Sequence, residues 1–222
     1  GRDANKLETA AAELSETVGV KIIPVVADVA TADGQKALLA ACPQPDILVN
    51  NNAGPPMRDF RELTRQQMLD GVIANMVVAI ELIQKVIDPM CERKFGRIVN
   101  ITSGSVKMPL AGLDLSSGAR AGLTAFLAGV ARKVADRNVT INNILPGAFD
   151  TDRLRSTLSK TAEQQNKSEA EVAAARMAGI PAKRFGNPDE FGAACAFLCA
   201  AQAGYITGQN LLIDGGTFNG AF

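Results

Sequence analysis

The chain of 222 residues contains no histidine and no tryptophan, and only one tyrosine, Tyr205. Without histidine the commonest metal ligand and the commonest general base at neutral pH are both missing. Neither sign of charge prevails: 23 Lys and Arg stand against 23 Asp and Glu, for a formal net charge of +0. That balance gives no electrostatic reason to expect nucleic acid or an anionic membrane surface as a partner. No apolar run reaches the roughly 18 residues that a membrane span needs. The opening GRDANKLETAAAELSE alternates charge with alanine and leucine, unlike a secretory leader. The four cysteines, Cys42, Cys91, Cys195 and Cys199, are spaced for neither a disulfide framework nor a zinc knuckle, so a reducing cytoplasmic setting is expected. Cys195 and Cys199 stand one helical turn apart in CAFLC; they are expected to pack as small apolar side chains, and no metal site is predicted.

What is present is an alternation of helical and strand-like patterns. Helices are expected at Lys6 to Glu16, Asp33 to Ala41, Thr64 to Arg93 (broken near Pro89), Ser117 to Arg137 and Pro188 to Ala200, with a charged helical stretch at Glu163 to Met177. Strands are expected at Val20 to Asp28, Asp46 to Asn51, Gly96 to Thr102, Val139 to Leu145 and Gln209 to Asp214. Continuous apolar strands between helices imply one α/β domain over 1–222, a doubly wound parallel sheet covered on both faces. In such a fold ligands bind beyond the carboxyl ends of the strands. That rule directs attention to NNAG, TSGS and PGAFDT, each of which follows a strand.

These segments resemble, in order and over essentially the whole chain, the short-chain dehydrogenase/reductase family. DILVNNNAG is similar to its fourth strand and Asn-Asn-Ala-Gly turn, GRIVNITSGS to its fifth strand and catalytic serine, and INNILPGAFDT to its sixth strand and Pro-Gly turn. RFGNPDEFGAACAFLCAAQAGYITGQNLLIDGG is similar to its C-terminal block. The resemblance implies a Rossmann-like oxidoreductase in which a tyrosine protonates a carbonyl oxygen as nicotinamide delivers hydride. A lysine lowers the tyrosine pKa and holds the ribose, a serine polarises the carbonyl, and an asparagine on the preceding helix completes the set.

The resemblance places the serine at Ser103 and the asparagine at Asn75. The tyrosine position, thirteen residues after the serine, holds Ser116, and the lysine position holds Arg120, within DLSSGARAGL. A serine hydroxyl is a weaker acid than a phenol and has a shorter reach; arginine stays charged at any working pH and holds an anion or a ribose without relaying a proton. Another donor is therefore required: Lys107, Asp114, Asp150, or a water held by Ser103 and Asn75. Lys107 is the first of these, because it lies on the loop between Ser103 and Ser116. A solvated loop charge is the plainer reading of both Lys107 and Asp114.

The family's glycine-rich phosphate loop has no counterpart here, and the chain begins where the family's second strand ends. A first strand-helix-strand unit is thus expected to be missing. With the family's strand order 3-2-1-4-5-6-7, the segment Val20 to Asp28 then lacks a neighbour, unless it moves to pair with DILVNN. For the remaining cofactor site the resemblance implies Asp28 and Val29 at the adenine, and Asn51, Ala53 and Gly54 at the ribose and pyrophosphate. It implies Pro146, Gly147, Phe149 and Thr151 at the nicotinamide. Arg2 resembles the arginine that pairs with a 2′-phosphate and favours NADP, with NAD the alternative; a surface arginine at a frayed end is equally open. Asn50, the extra asparagine of VNNNAG, either caps its strand or shifts the turn by one residue.

The helices Thr64 to Arg93 and Ser117 to Arg137 are apolar or small around most of their circumference. The resemblance implies a homodimer or homotetramer built on them, intramolecular burial being the alternative. Residues 153–183 are expected to form a substrate lid, or else a solvated helix pair. The functional expectation is an NADP-dependent oxidoreductase of a small carbonyl or alcohol with an atypical proton donor. Its rival is a non-catalytic dinucleotide-binding or partner-subunit protein on the same fold.

Overall fold

Four of the apolar segments become strands, and a row of asparagines sets their register. The computed structural model describes residues 1–221. Strands β1 (Ile47–Asn50), β2 (Gly96–Ile101), β3 (Val139–Pro146) and β4 (Asn210–Ile213) form one parallel sheet in the order β1-β2-β3-β4. In the ladders Asn50 lies opposite Asn100, Asn100 opposite Asn143, and Asn143 opposite Asn210. The side chains repeat that order. Asn50 Nδ2 donates to Asn100 Oδ1 at 2.9 Å, Asn100 Nδ2 to Asn143 Oδ1 at 3.1 Å, and Asn143 Nδ2 to Asn210 Oδ1 at 2.8 Å. A slip of one residue in any strand turns its side chains to the other face and breaks the row. The row ends at Asn50 Oδ1, buried without a partner beside the open edge of β1.

Alternation along the strands builds two cores. Ile98 and Ile141 face α4 (Val78–Glu92) and α5 (Asp114–Val134), packing with Ile83, Val86, Met90, Leu123 and Leu127. Val99 and Ile144 face α8 (Pro188–Cys199), where Leu198, Cys195 and Cys199 meet them. The two cysteines therefore pack as expected. Burial pushes both thiols up, that of Cys199 to about 11, which opposes the thiolate a metal requires. Among the described residues no group of three or more potential metal ligands occurs. Among the described residues no helix is long and apolar enough to cross a membrane.

Arg97, 1% exposed, joins the start of β2 to two loops and has no carboxylate partner among the described residues. Its guanidinium donates to the carbonyls of Gly96, Asn138, Ala200 and Ala201 and to Asn138 Oδ1, and lies 4.5 Å from the Phe95 ring centroid. The planar fork of arginine meets these acceptors together, which offsets the desolvation of its charge.

Several expectations change. Helix α1 (Ala4–Val18) and α2 (Ala32–Ala41) form where predicted, but the segment between them is not a strand. Val20, Ile23 and Val26 are 59%, 57% and 51% exposed, and β1 pairs with β2 alone, so the alternative ladder to DILVNN does not form. The physical reason is the missing neighbour: what backbone pairing the segment has across the chain comes from Gly1, through Ala27 N to Gly1 O at 2.8 Å and Gly1 N to Val25 O at 3.2 Å. The long helix is interrupted not at Pro89, which α4 accommodates near its end, but at a π-helical turn, Ile73–Val77, between α3 (Arg65–Val72) and α4. The charged stretch is two helices, α6 (Asp152–Gln165) and α7 (Glu169–Ala178), which share a small core of Leu154, Leu158, Ala162 and Val172.

Asn100 carries the centre of the row, and Asn210 ends it at the surface. Asn100→Ala is expected to destabilise the fold by about 3 kcal/mol, because it leaves buried amides at Asn50 and Asn143 without partners. Asn210→Ala should cost less than about 1 kcal/mol. Urea unfolding of the two variants against the parent measures the difference; equal losses contradict a register set by the buried row.

Candidate active site

The π-helical turn carries Asn75. The wider turn lets Val78 N reach Ile73 O, and the Asn75 amide donates to Gly71 O at 3.4 Å and to Ala53 O at 3.3 Å. Such insertions in α-helices occur where a side chain must be re-aimed. Asn75 thereby ties the helix to the turn after β1. Its Oδ1 is buried and has no partner among the described residues. Asn52 holds the same turn, accepting from Ala53 N at 2.9 Å and donating to Ala74 O at 3.1 Å. The open question about VNNNAG is thus answered. Asn50 is the last strand residue with its side chain in the row, and Asn52 is the turn residue.

Helix α5 brings Ser116 and Arg120 to this turn from the other side, one helical turn apart and each 8% exposed. Arg120 donates from Nε to Ser116 Oγ at 3.3 Å, from Nη1 to Ile101 O at 2.8 Å and from Nη2 to Asn52 O at 3.3 Å. It therefore fastens the ends of β1 and β2 to the helix. Burial, and after it the charge of Arg153, pushes the Arg120 guanidinium down to about 10. It remains cationic at neutral pH. A cleft of about 80 Å³ is lined by Val29, Asn51, Asn75, Asn100 and Arg120, among others.

Ser103 follows β2 in extended conformation and caps the short turn Gly104–Val106, its Oγ accepting from Ser105 N at 3.1 Å and Ser105 Oγ at 2.9 Å. With two bonds accepted, its own proton is available to a ligand. Helix α5 packs on this turn. Lys107 is drawn elsewhere: its ammonium lies 5.5 Å from the Phe218 ring centroid, toward the C-terminal segment. Asp114 accepts from Gly112 N at 3.2 Å at the start of α5, and Asp150 pairs with Arg155 at 3.1 Å, so the two side-chain alternatives to Lys107 have structural partners.

After β3, Pro146 and Gly147 turn the chain against β4. A Cβ on Gly147 would stand 2.7 Å from Asp214 Cα, so only glycine fits. Phe149 sets its ring edge-on to Phe191 at 5.4 Å, and Thr151 caps α6 by accepting from Leu154 N at 3.4 Å. Arg2 and Asp28 meet in an exposed ion pair at 3.7 Å. Sequence reasoning missed Arg153. Its Nη2 would stand 3.7 Å from a Cβ on Gly54, beside Arg120 Nη2 at 3.5 Å and Ser116 Oγ at 3.4 Å. Nothing in TDRLRS marks it, because its role depends on how α6 lies against the turn after β1.

Four parallel strands, followed at their carboxyl ends by the Asn-Ala-Gly, Ser and Pro-Gly turns, make this a Rossmann-like α/β protein. The family model described as enoyl-(acyl carrier protein) reductase matches residues 2–217, and the chain belongs to the short-chain dehydrogenase/reductase family, whose members are NAD(P)H-dependent reductases of carbonyl compounds. It is 34% identical over 216 residues to nodulation protein G of Azospirillum brasilense, covering 94% of this chain and 83% of that protein. It is 32% identical over 180 residues to the NADPH-dependent reductase BacG of Bacillus subtilis (strain 168), covering 79% of this chain and 68% of that one. Among solved structures it is similar to L-sorbose reductase from Gluconobacter frateurii complexed with NADPH and L-sorbose (TM-score 0.92, 26% identity, 99% of this chain and 85% of that one). It is also similar to a single-substitution variant of actinorhodin polyketide ketoreductase with NADPH (TM-score 0.91, 28% identity, 98% and 85%).

The residues present leave room for part of such a dinucleotide: Gly54 leaves its backbone open to close approach, and Asn75 Oδ1 is buried without a partner among the described residues, whereas Gly147 is closed by Asp214. Gly147→Ala is expected to cost about 1–3 kcal/mol by forcing a Cβ onto the Asp214 backbone. A melting temperature unchanged within error would show that this turn yields, and that its glycine is not required by packing.

Proposed function

We propose that the chain is an NADPH-dependent reductase of a small carbonyl compound, in which Ser116 aligned by Arg120 stands where the family has a phenol and an ammonium. The observation that carries this reading is the Arg120 Nε to Ser116 Oγ hydrogen bond at 3.3 Å inside a buried site. Because Arg120 donates to Ser116, the serine proton is left to donate to a substrate oxygen, with Ser103 as the second donor. The guanidinium charge, desolvated by burial, favours negative charge growing on that oxygen. Asn75 fixes the turn against which the substrate lies. The proton that completes the alcohol comes from outside this couple, and Lys107, on the loop that borders the site, is the proposed source, reached by rotating away from Phe218.

The cofactor, when bound, supplies the hydride. Pro146, Gly147, Phe149 and Thr151 would hold its nicotinamide, Asn51, Ala53 and Gly54 its ribose and pyrophosphate, and Asp28 and Val29 its adenine. Arg2 would leave its exposed pairing with Asp28 for a 2′-phosphate. NADP is supported by the NADPH named for the relatives BacG, sorbose reductase and the polyketide ketoreductase. The segment 153–183, which holds α7 and all of α6 but its first residue, is proposed as the lid over this site. The rival reading, a dinucleotide-binding protein without turnover, is tested by the same assay.

With NADPH and a panel of small ketones and keto acids, the parent is expected to oxidise cofactor. Ser116→Ala and Arg120→Lys should each lower kcat about 100-fold, and Lys107→Ala about tenfold or more. Cofactor binding without turnover on any substrate would sink the reductase reading. Full activity in Lys107→Ala would remove that residue as proton source.

The outward side of α5 supports the proposed homodimer or homotetramer. Gly118 and Gly129 face open space there, and Phe126 is 48% exposed. A helix of this composition calls for a second partner beyond its own sheet. Light scattering is expected to give a dimer or tetramer, with Phe126→Asp shifting it to the monomer; a monomeric parent contradicts the assembly.

A further inference from the structure

Two guanidinium groups and a hydroxyl converge on one point that glycine leaves open. Where a Cβ of residue 54 would stand, Ser116 Oγ is 3.4 Å away, Arg120 Nη2 3.5 Å and Arg153 Nη2 3.7 Å. No carboxylate of the described residues pairs with either arginine. Arg120 is 8% exposed and spends its observed hydrogen bonds on two carbonyls and a serine, all neutral. Arg153 extends from the first turn of α6, and its side chain donates no hydrogen bond within the described residues. Arg120 is buried and Arg153 exposed, so water screens part of their repulsion, and an anion between them would relieve the rest. Both Nη atoms present N–H groups beyond those already used, in the geometry that suits a planar or tetrahedral oxyanion.

We propose that Arg120, Arg153 and Ser116 form an oxyanion-binding site against the face of Gly54 that a Cβ would occupy, the cofactor being left the backbone of that residue, and that its ligand is a carboxylate on the substrate. The proposal rests on the reductase reading for one point, the placing of the reacting carbonyl at Ser116. An oxyanion held by both arginines lies within reach of the same serine, so the carboxylate stands one or two bonds from the carbonyl. The substrate class is then a small 2-oxo or 3-oxo acid rather than a neutral ketone. Arg153 acts as a specificity-determining residue and Arg120 serves both the anion and Ser116. The lid helices supply Arg153, so lid position and anion recognition become one event.

Titration calorimetry of the full chain with malonate, with inorganic phosphate and with NADPH tests this without requiring turnover. Malonate is expected to bind the parent, and saturating NADPH should leave that affinity within about twofold. Arg153→Gln should weaken malonate about tenfold or more, the loss of one charge-assisted contact. Arg155→Gln, two residues on and already paired with Asp150 and Asp152, should change it less than about twofold. Gly54→Ala provides a second variant, since its added methyl makes ordinary contacts and so permits folding while filling the convergence point. Absence of binding by malonate and phosphate alike, or parental affinity in both Arg153→Gln and Gly54→Ala, overturns the site. Binding of phosphate but not malonate, with NADPH competing, assigns the arginines to a cofactor phosphate and overturns the substrate assignment. Malonate binding that depends on Arg153 in a protein with no reductase turnover supports the site while sinking the reductase reading, so the two failures are told apart.

Discussion

The row of amides from Asn50 through Asn100 and Asn143 to Asn210 is the constraint on which the site depends. Parallel strands have evenly spaced bonds and gain little from any one register, so something besides the backbone must select it. Here Asn100 and Asn143 each accept from one neighbouring strand and donate to the other, Asn50 donates and Asn210 accepts at the two ends, and three of the four are buried. A buried amide network rigidifies a structure only when its members are satisfied. Because the row lies near the carboxyl ends of β1 and β2, it also decides where the turns beginning at Asn51 and Thr102 leave the sheet. A shift of one residue would carry Ser103 or Gly54 about 3.3 Å along the strand, farther than any hydrogen bond at the site tolerates.

On that frame the site is assembled by one buried cation. Arg120 reaches the end of β2 at Ile101, the turn after β1 at Asn52 and its own helix at Ser116. A lysine, with its compact ammonium, would hold fewer of these at once. The chain treats Arg97 in the same way at the opposite end of β2, surrounding a desolvated guanidinium with carbonyls. The two differ in what lies beyond. Arg97 finds the face of Phe95 and no second cation, whereas Arg120 meets Arg153. The first arrangement is complete as it stands, and the second is not.

Much of the frame is legible in the sequence because it follows from local pattern. Four apolar strands and the helices that flank them follow from periodicity, and the places of Ser103, Asn75, Ser116 and Arg120 follow from the resemblance of the turns and of DLSSGARAGL to the family's motifs. What is illegible depends on neighbours. Val20 to Asp28 has the composition of a strand and is not one, because pairing requires a partner that hydrophobicity does not supply. The π-helical turn at Ile73–Val77 leaves no sign in a helical pattern of period 3.6, so the pattern points instead to Pro89, the residue type best known to disturb helices. Asn143 reads as one polar residue in an apolar strand until Asn100 and Asn210 are seen on either side of it. Arg153 lies among other charged residues at a helix start, and only the packing of α6 against Gly54 separates it from Arg155.

The replacement of a phenol by a serine then has a physical account in the arginine that accompanies it. A phenol near its ordinary pKa of about 10 gives up a proton and needs a cation chiefly to lower that value further. A serine does not give one up at that cost, so it serves as a hydrogen-bond donor, and the charge on the developing alkoxide must be met by something permanent. Arg120 is permanent in that sense: even pushed down to about 10 it keeps its proton through the neutral range. The same permanence repels a second cation, and Arg153 is nevertheless held beside it. In the proposed reductase, proton transfer and charge stabilisation, which one tyrosine-lysine pair performs together in the family, are divided: the charge is assigned to the arginines under α6, and the proton to the loop that carries Lys107 or to solvent.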